Sequence, residues 1–203
     1  MIIKSLCLIC VLFAGVSYGQ QPVDGIDARS NAEEFAKQLG STDPLLRQRS
    51  AEALARLAAT EHLKLVQGYQ LQEKNKNVRL ALDWALYRMG RSEALYRVVR
   101  DLDSDRQDQA LGYLGELESP DLLYPFLKKQ NNPQRVNAGL LKALARTGDA
   151  QTLEIVKPFR DSHQPYVAEA AEIAHDEIEK RLGEPAQPTR GRPRTVGTVA
   201  DRP

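Results

Sequence analysis

Three histidines, His62, His163 and His175, are the residues of this 203-residue chain whose side-chain type most often serves in proton transfer or metal binding near neutral pH. His62 opens the segment TEHLKLVQGYQLQ, and His163 lies in the loop DSHQPY. His175 has Glu172 three residues before it and Glu179 four after, so all three fall on one helical face. A Glu-x-x-His pair is half of a carboxylate-bridged two-metal site, which needs a second such pair and further carboxylates. This sequence offers one pair. Two readings of His175 remain: a ligand in a metal-dependent reaction, or a polar residue on the wet face of a terminal helix. The chain has no Gly-x-Ser-x-Gly, no Gly-rich phosphate loop and no His-Glu-x-x-His. The expectation is a protein that is not an enzyme, with no catalytic, cofactor-binding or metal-binding residues and no cofactor.

Cys7 and Cys10 have the spacing of a redox or metal motif, but they lie in MIIKSLCLICVLFAGVSYGQ. Lys4, an apolar run from Leu6 to Val16 and small residues at Ser17 and Gly19 follow in the order of a secretory signal peptide, with cleavage expected before Gln20. About 11 apolar residues are too few for a bilayer-spanning helix of about 20. Leu6 and Ile9 precede the cysteines, where a lipidation signal needs a small residue. The exported chain would have no cysteine and no transmembrane segment. Disulfides, thiolate catalysis and cysteine-ligated metals are thereby excluded.

The elements that must carry any surface are helices. Hydrophobic residues make up 42% and charged residues 27%, and alternating β-branched runs are lacking. VRLALDWALYRMG (Val78 to Gly90) and VNAGLLKALARTG (Val136 to Gly148) share a frame: Val first, Ala-Leu seven and eight places on, Gly twelve places on. Segments starting at Leu46, Asp103 and Val167 repeat it more weakly, with Ala53, Leu54 and Leu57, then Ala110, Leu111, Leu114 and Gly115, then Ala171, Ala174 and Ile178. In this frame His175 takes the slot of Leu86 and Leu144, which suits a capping helix with a polar outer face. The starts advance by about 25 to 33 residues, the period of stacked helix pairs. The glycine after each frame is expected to stop its helix in the left-handed conformation.

Second helices fill the gaps: TEHLKLVQGYQLQ, RSEALYRVVRDL, SPDLLYPFLKK and DAQTLEIVKPFRD. Ser92, Ser119 and Asp149 are expected to cap the last three, with Pro120 at a first helical position and Pro125 and Pro158 bending the helix interiors. Ahead of the array, Ser30 to Gly40 reads as a lone helix with a Ser30–Glu33 capping box. Trp84, Tyr87 and Met89 read as packing residues of a first helix.

The frame resembles the HEAT-repeat family, in its short variety named after phycobilisome lyases, over Thr42 to Leu182. The resemblance implies an all-α fold, a right-handed α-solenoid of about five helix pairs. Its enzyme relatives, the deoxyhypusine hydroxylases, hold iron through His-Glu dipeptides. Here Glu61-His62 has the order reversed and His175-Asp176 the wrong acid, so no iron site is implied. The phycobilin lyases act on an intracellular apparatus that an exported chain would not meet.

In such solenoids the second helices line the concave side. Counted from each repeat's end, with a three-residue insertion in the third, outward positions hold Lys64, Tyr96, Tyr124 and Glu154, and one turn later Arg100 and Lys128. These are the candidate partner-binding residues, since Tyr and Arg recur at binding hot spots. The other reading is that the tyrosines pack half-buried with a wet hydroxyl and the cations merely face solvent.

From Gly183 the tail is rich in Pro, Gly, Thr and Arg and is expected to be disordered. Arg190-Gly-Arg192-Pro, with Arg194 beyond, is similar to an AT-hook. Export argues against contact with nucleic acid, and 28 basic against 27 acidic residues leaves no excess for a duplex. The tail reads as inert or as a tether through Arg190, Arg192 and Arg194 to an anionic envelope surface. The expected organisation is a signal peptide at 1–19, a flexible linker at 20–29, repeats at 30–182 and the tail at 183–203. The expected function is an exported, periplasmic or secreted scaffold for a protein partner. The alternatives are a HEAT-like lyase or metal-dependent enzyme, or a tail-mediated binder of anionic polymer.

Overall fold

The computed structural model describes residues 24–129 and 131–183, the first six as backbone alone. The segment expected to be a signal peptide, with Cys7 and Cys10, and the segment expected to be a disordered tail, with Arg190, Arg192 and Arg194, lie outside the described residues, apart from Gly183. Within them the fold is all-α, with no strand. The helices are α1 (Asp24–Gln38), α2 (Pro44–Leu57), α3 (Leu63–Gln72), α4 (Lys76–Arg88), α5 (Ala94–Arg100), α6 (Gln107–Leu114), α7 (Tyr124–Leu127), α8 (Gln134–Thr147), α9 (Ala150–Arg160) and α10 (Pro165–Gly183). Short 3-10 turns at Thr60–His62, Asp101–Asp103 and Pro120–Leu122 stand before α3, after α5 and before α7. Among the described residues, no helix is long and apolar enough to cross a membrane.

Helix α1 starts six residues earlier than expected, inside the anticipated linker, and Ser30 is a helical interior residue rather than a cap. Nothing between Pro22 and Pro44 forbids this, because an interior serine costs well under ~1 kcal/mol. Other starts follow local chemistry. Asp43 caps α2 by accepting from Leu45 N, with Pro44 in the first helical position. Asn75 accepts from Asn77 N and Val78 N at the start of α4. Asp149 and Thr152 form a reciprocal capping box on α9. Ser119 caps only the 3-10 turn that it precedes. Ser92 does not cap with its side chain; α5 begins later, and the Ser92 carbonyl accepts from Leu95 N.

The helix ends correct the glycine expectation. Gly90 is left-handed at φ 98°. Gly115 is right-handed at φ −73°, and Gly148 is extended at φ −65°, ψ 154°. Ala58, which holds the Gly90 slot in the first repeat, is left-handed at φ 46°. Gly148 is required for space instead: a Cβ there would lie 2.6 Å from both Ile178 Cδ1 and the Leu144 carbonyl oxygen.

Each first helix packs on the next, α2 on α4, α4 on α6, α6 on α8 and α8 on α10, and α1 packs on α2. The second helices lie beside them: α3 and α5 on α4, α7 on α8, α9 on α10. Helix α4 is consequently covered on more than one side. Beyond its frame residues Val78, Leu82, Ala85, Leu86 and Met89, it also buries Leu80, Ala81 and Trp84. A helix hydrophobic around most of its circumference belongs inside a stack. Helix α2 is looser: Leu46 and Leu57, expected in the core, are 37% and 40% exposed. Its inner slots are held by Ser50, Ala53 and Leu54, and Ser50 Oγ donates to the Leu46 carbonyl at 2.8 Å.

The third frame departs most. Asp103 ends a 3-10 turn that continues α5, and α6 begins only at Gln107. Arg106 holds this corner, donating from Nη2 to Asp101 Oδ1 at 2.6 Å. Leu102, fully buried in that turn, lies over Gly139 of α8, where an added Cβ would meet Leu102 Cδ2 at 2.9 Å.

Candidate functional site

The surface formed by the second helices is built from short elements. The segment SPDLLYPFLKK breaks into a 3-10 turn and the four-residue α7. Pro125 is the cause. It sits in the first turn of α7, where its missing N–H costs nothing, so it starts a helix instead of bending one. Pro158 does lie inside α9, in its last turn.

This break moves Tyr124. Expected on the outer strip, it is 7% exposed, and its hydroxyl lies 2.7 Å from Thr152 Oγ1 of α9. Thr152 is itself buried and bonded to Asp149, so Tyr124 ties α7 to the capping box of the next second helix. Burial raises the Tyr124 phenol pKa, opposed by the bond from Thr152. The remaining strip residues, Lys64, Tyr96, Arg100, Lys128 and Glu154, are all exposed.

Tyr96 is the exposed aromatic of the strip, at 52%; Tyr166 of α10 is exposed as well, at 36%. It lies on α5 with Ala94, Leu95, Val98 and Val99 buried around it, so helical spacing pushes it outward. Phe126 of α7 is its neighbour, ring centroids 6.3 Å apart. Lys129 completes the group, its Nζ 5.3 Å from the Tyr96 ring centroid and 3.5 Å from the hydroxyl. Phe126 and Lys129 were not among the expected strip residues. Their signal was the same broken helix: with Pro125 at its start, α7 ends at Leu127 and leaves half-buried Phe126 and exposed Lys129 beside Tyr96.

Beneath Tyr96 the helix pair is fixed by a buried polar network. Asp83 of α4 accepts from Arg97 Nε at 2.5 Å and from Gln70 Nε2 at 3.0 Å, joining α4 to α5 and α3. Desolvation raises the Asp83 carboxyl pKa, while Arg97 pulls it down. Arg97 next to Tyr96 is therefore committed inward.

His175 is half-buried on α10, its side chain 18% exposed. Glu172, the presumed i−3 partner, is taken by Arg160, which donates to both carboxylate oxygens at 2.5 and 2.9 Å and lowers the Glu172 pKa. His175 Nδ1 instead lies 3.6 Å from Asp176 Oδ1 and 3.6 Å from Glu179 Oε2, and has no hydrogen-bond partner among the described residues. The Glu-x-x-His face is not assembled. Ile178, one turn on, is fully buried against the α8–α9 corner, and Arg181 donates to the Ala145, Arg146 and Gly148 carbonyls that end α8. His62 ends the 3-10 turn before α3, and His163 is exposed between α9 and α10.

No protein-family model matches the chain, and no curated protein matches it. Among solved structures it is similar to the crystal structure of an engineered protein from the Northeast Structural Genomics Consortium, at 20% identity and a TM-score of 0.38, over 76% of this chain and 82% of that chain.

Proposed function

We propose that the chain is an exported scaffold of HEAT-like type, a right-handed α-solenoid of about five helix pairs, binding a protein partner through its second helices. Contacts between successive first helices, with second helices set to their sides, support the repeat reading. The observation that carries the binding surface is exposed Tyr96 of α5, with exposed Lys129 over its ring and half-buried Phe126 of α7 beside it. An aromatic held by a neighbouring ring and a cation loses little freedom on binding, which suits a contact anchor. A photo-crosslinking residue at position 96, compared with one at Glu169 on α10, tests this in cells producing the full chain. A discrete adduct specific to position 96 is expected. Equal labelling from both positions removes the surface assignment.

A second reading, a metal-dependent enzyme, has one observation in its favour: His175, Asp176 and Glu179 offer three ligand atoms within 4.8 Å of one another. All three come from a single helix and the two carboxylates are exposed, which suits a solvated face as well as a ligand set.

A further inference from the structure

A cleft of about 220 Å³ opens where the first turn of α4 meets the end of α5. Lys76, Arg79, Arg100 and Arg106 line it, against Asp83 and Asp101. Both carboxylates are already engaged. Asp83 holds Arg97 and Gln70, and Asp101 accepts from Arg106 Nη2 at 2.6 Å and Nε at 3.2 Å. Arg106 spends its remaining Nη1 on Asp105. Arg79 acts on Asp83 through space, without an ion-pair contact. Lys76, Arg79 and Arg100 are exposed and have no ion-pair partner among the described residues.

We propose that this cleft binds a compact dianion, a phosphate monoester or a sulfate group. Three uncompensated cations share one small concavity, and a dianion relieves their mutual repulsion more fully than a single carboxylate would. Guanidinium groups match tetrahedral oxyanions by paired N–H donation, and two of the three cations are arginines. The volume holds one such anion with a few waters, at about 30 Å³ per water. The cleft sits at the positive end of the α4 dipole. Asn75 already occupies the Asn77 and Val78 N–H groups there, so side chains hold the anion. This inference shares Arg100 with the partner-binding strip but requires neither a repeat fold nor Tyr96, and anion binding is read separately from any partner adduct.

The test is an amide NMR titration of the full chain with inorganic phosphate, sulfate, O-phosphoserine and a glutamate-rich peptide, at ionic strength matched with chloride. Saturable shifts are expected around residues 75–80 and 98–106. Lys76→Gln, Arg79→Gln and Arg100→Gln should each weaken phosphate about tenfold, the size of one charge-assisted contact. None of the three has an ion-pair partner among the described residues, so the fold should survive, and unchanged spectra elsewhere verify that. Lys157→Gln on α9 should change nothing. Tighter phosphoserine than sulfate assigns the site to phosphate monoesters, and the reverse order to sulfated ligands. Shifts that chloride reproduces, that never saturate, or that persist in the Arg79→Gln/Arg100→Gln variant overturn the proposal. So does a preference for the glutamate-rich peptide over both dianions.

Discussion

Tyr113 donates its hydroxyl hydrogen to Glu52 Oε1 across 2.6 Å, joining residues 61 positions apart in the chain. The bond links α6 to α2 past α4, the helix between them. Trp84 of α4 stacks on the Tyr113 ring, centroids 5.5 Å apart and planes 2° from parallel. Gln109 Nε2 donates to the same hydroxyl at 2.8 Å and to the Asn77 carbonyl at 3.0 Å. Three successive first helices are thus held at one point.

Tyr113→Phe keeps the stacked ring and removes the bond to a carboxylate, while Glu52 retains Gln48 at 3.0 Å. The expected loss is about 1–2 kcal/mol. Urea denaturation should show a lower midpoint with an unchanged slope. The pH dependence has a definite sign. Burial first, and Glu52 with it, raises the Tyr113 pKa above its ordinary value of 10.0. The folded state therefore favours the neutral phenol. Its contribution is complete below pH ~10 and is lost as pH rises beyond that, where the unfolded chain ionises first. Tyr87 and Tyr124 are shifted the same way, so the difference between wild type and Tyr113→Phe isolates the effect. The wild type should lose stability more steeply above pH ~10 than the variant. Parallel curves would show that the buried hydroxyl is not what titrates.

Ala58 is exposed and left-handed at φ 46°, and open space surrounds Gly90 at φ 98°. Side chains in this region cost roughly 1–2 kcal/mol. Ala58→Gly should therefore stabilise by about 0.5–1 kcal/mol, net of the extra freedom gained by the unfolded chain. Gly90→Ala should destabilise by about 1 kcal/mol without crowding any neighbour. Thermal melts of the two variants moving in opposite directions would establish that this corner selects handedness. A destabilised Ala58→Gly would mean that the first corner is not under strain.

The frame of α4 and α8 could be read from the sequence because a first-helix core residue recurs wherever the neighbours on both sides recur. Trp84 was legible as packing for the same reason. Where a neighbour is missing, the pattern misleads. Leu46 and Leu57 carry the right residue types, but the first repeat has only α1 beyond it, and they stay half-exposed. The glycine rule failed because one residue type serves two physical needs. Gly90 supplies handedness and Gly148 supplies space, and a single sequence does not separate them. The expected strip was displaced at one residue. Pro125 started a helix where periodicity alone continued one, sending Tyr124 inward and bringing Phe126 and Lys129 to Tyr96. The Asp83–Arg97–Gln70 network and the Lys76–Arg79–Arg100 cleft join residues of different helices at no helical spacing, so no local pattern announces them.

Gly148→Ala tests the second of those needs. The new methyl would meet Ile178 Cδ1 and the Leu144 carbonyl oxygen at 2.6 Å, and Thr152 Cγ2 at 2.9 Å. The carbonyl cannot retreat without opening the last turn of α8, since Gly148 N donates to it at 2.7 Å. A loss of about 2–3 kcal/mol is expected. Ile178→Val in the same chain should recover only part of it, because it vacates the side-chain contact and leaves the carbonyl. Full recovery would place the whole conflict at Ile178.

Tyr96 and Lys129 separate a contact surface from a packing cluster. Tyr96 is more than half exposed, and the Lys129 ammonium interacts with its ring rather than with a carboxylate. An exposed cation–π pair contributes about 0.5–1 kcal/mol. Tyr96→Ala and Lys129→Ala should therefore each cost no more than that in fold stability. Tyr124→Phe, which strips the buried Thr152 bond, should cost about 1 kcal/mol while leaving the surface intact. If the exposed group anchors a partner, the two surface variants should abolish the adduct formed from a photo-crosslinker at position 100, and Tyr124→Phe should not. Position 100 keeps the reporter on the same helix face while sparing Tyr96 itself. If instead the adduct tracks stability, falling with Tyr124→Phe and persisting with Tyr96→Ala, then Tyr96, Phe126 and Lys129 serve only to brace α5 against α7. The two patterns are opposite because one hydroxyl points into the fold and the other ring faces out of it.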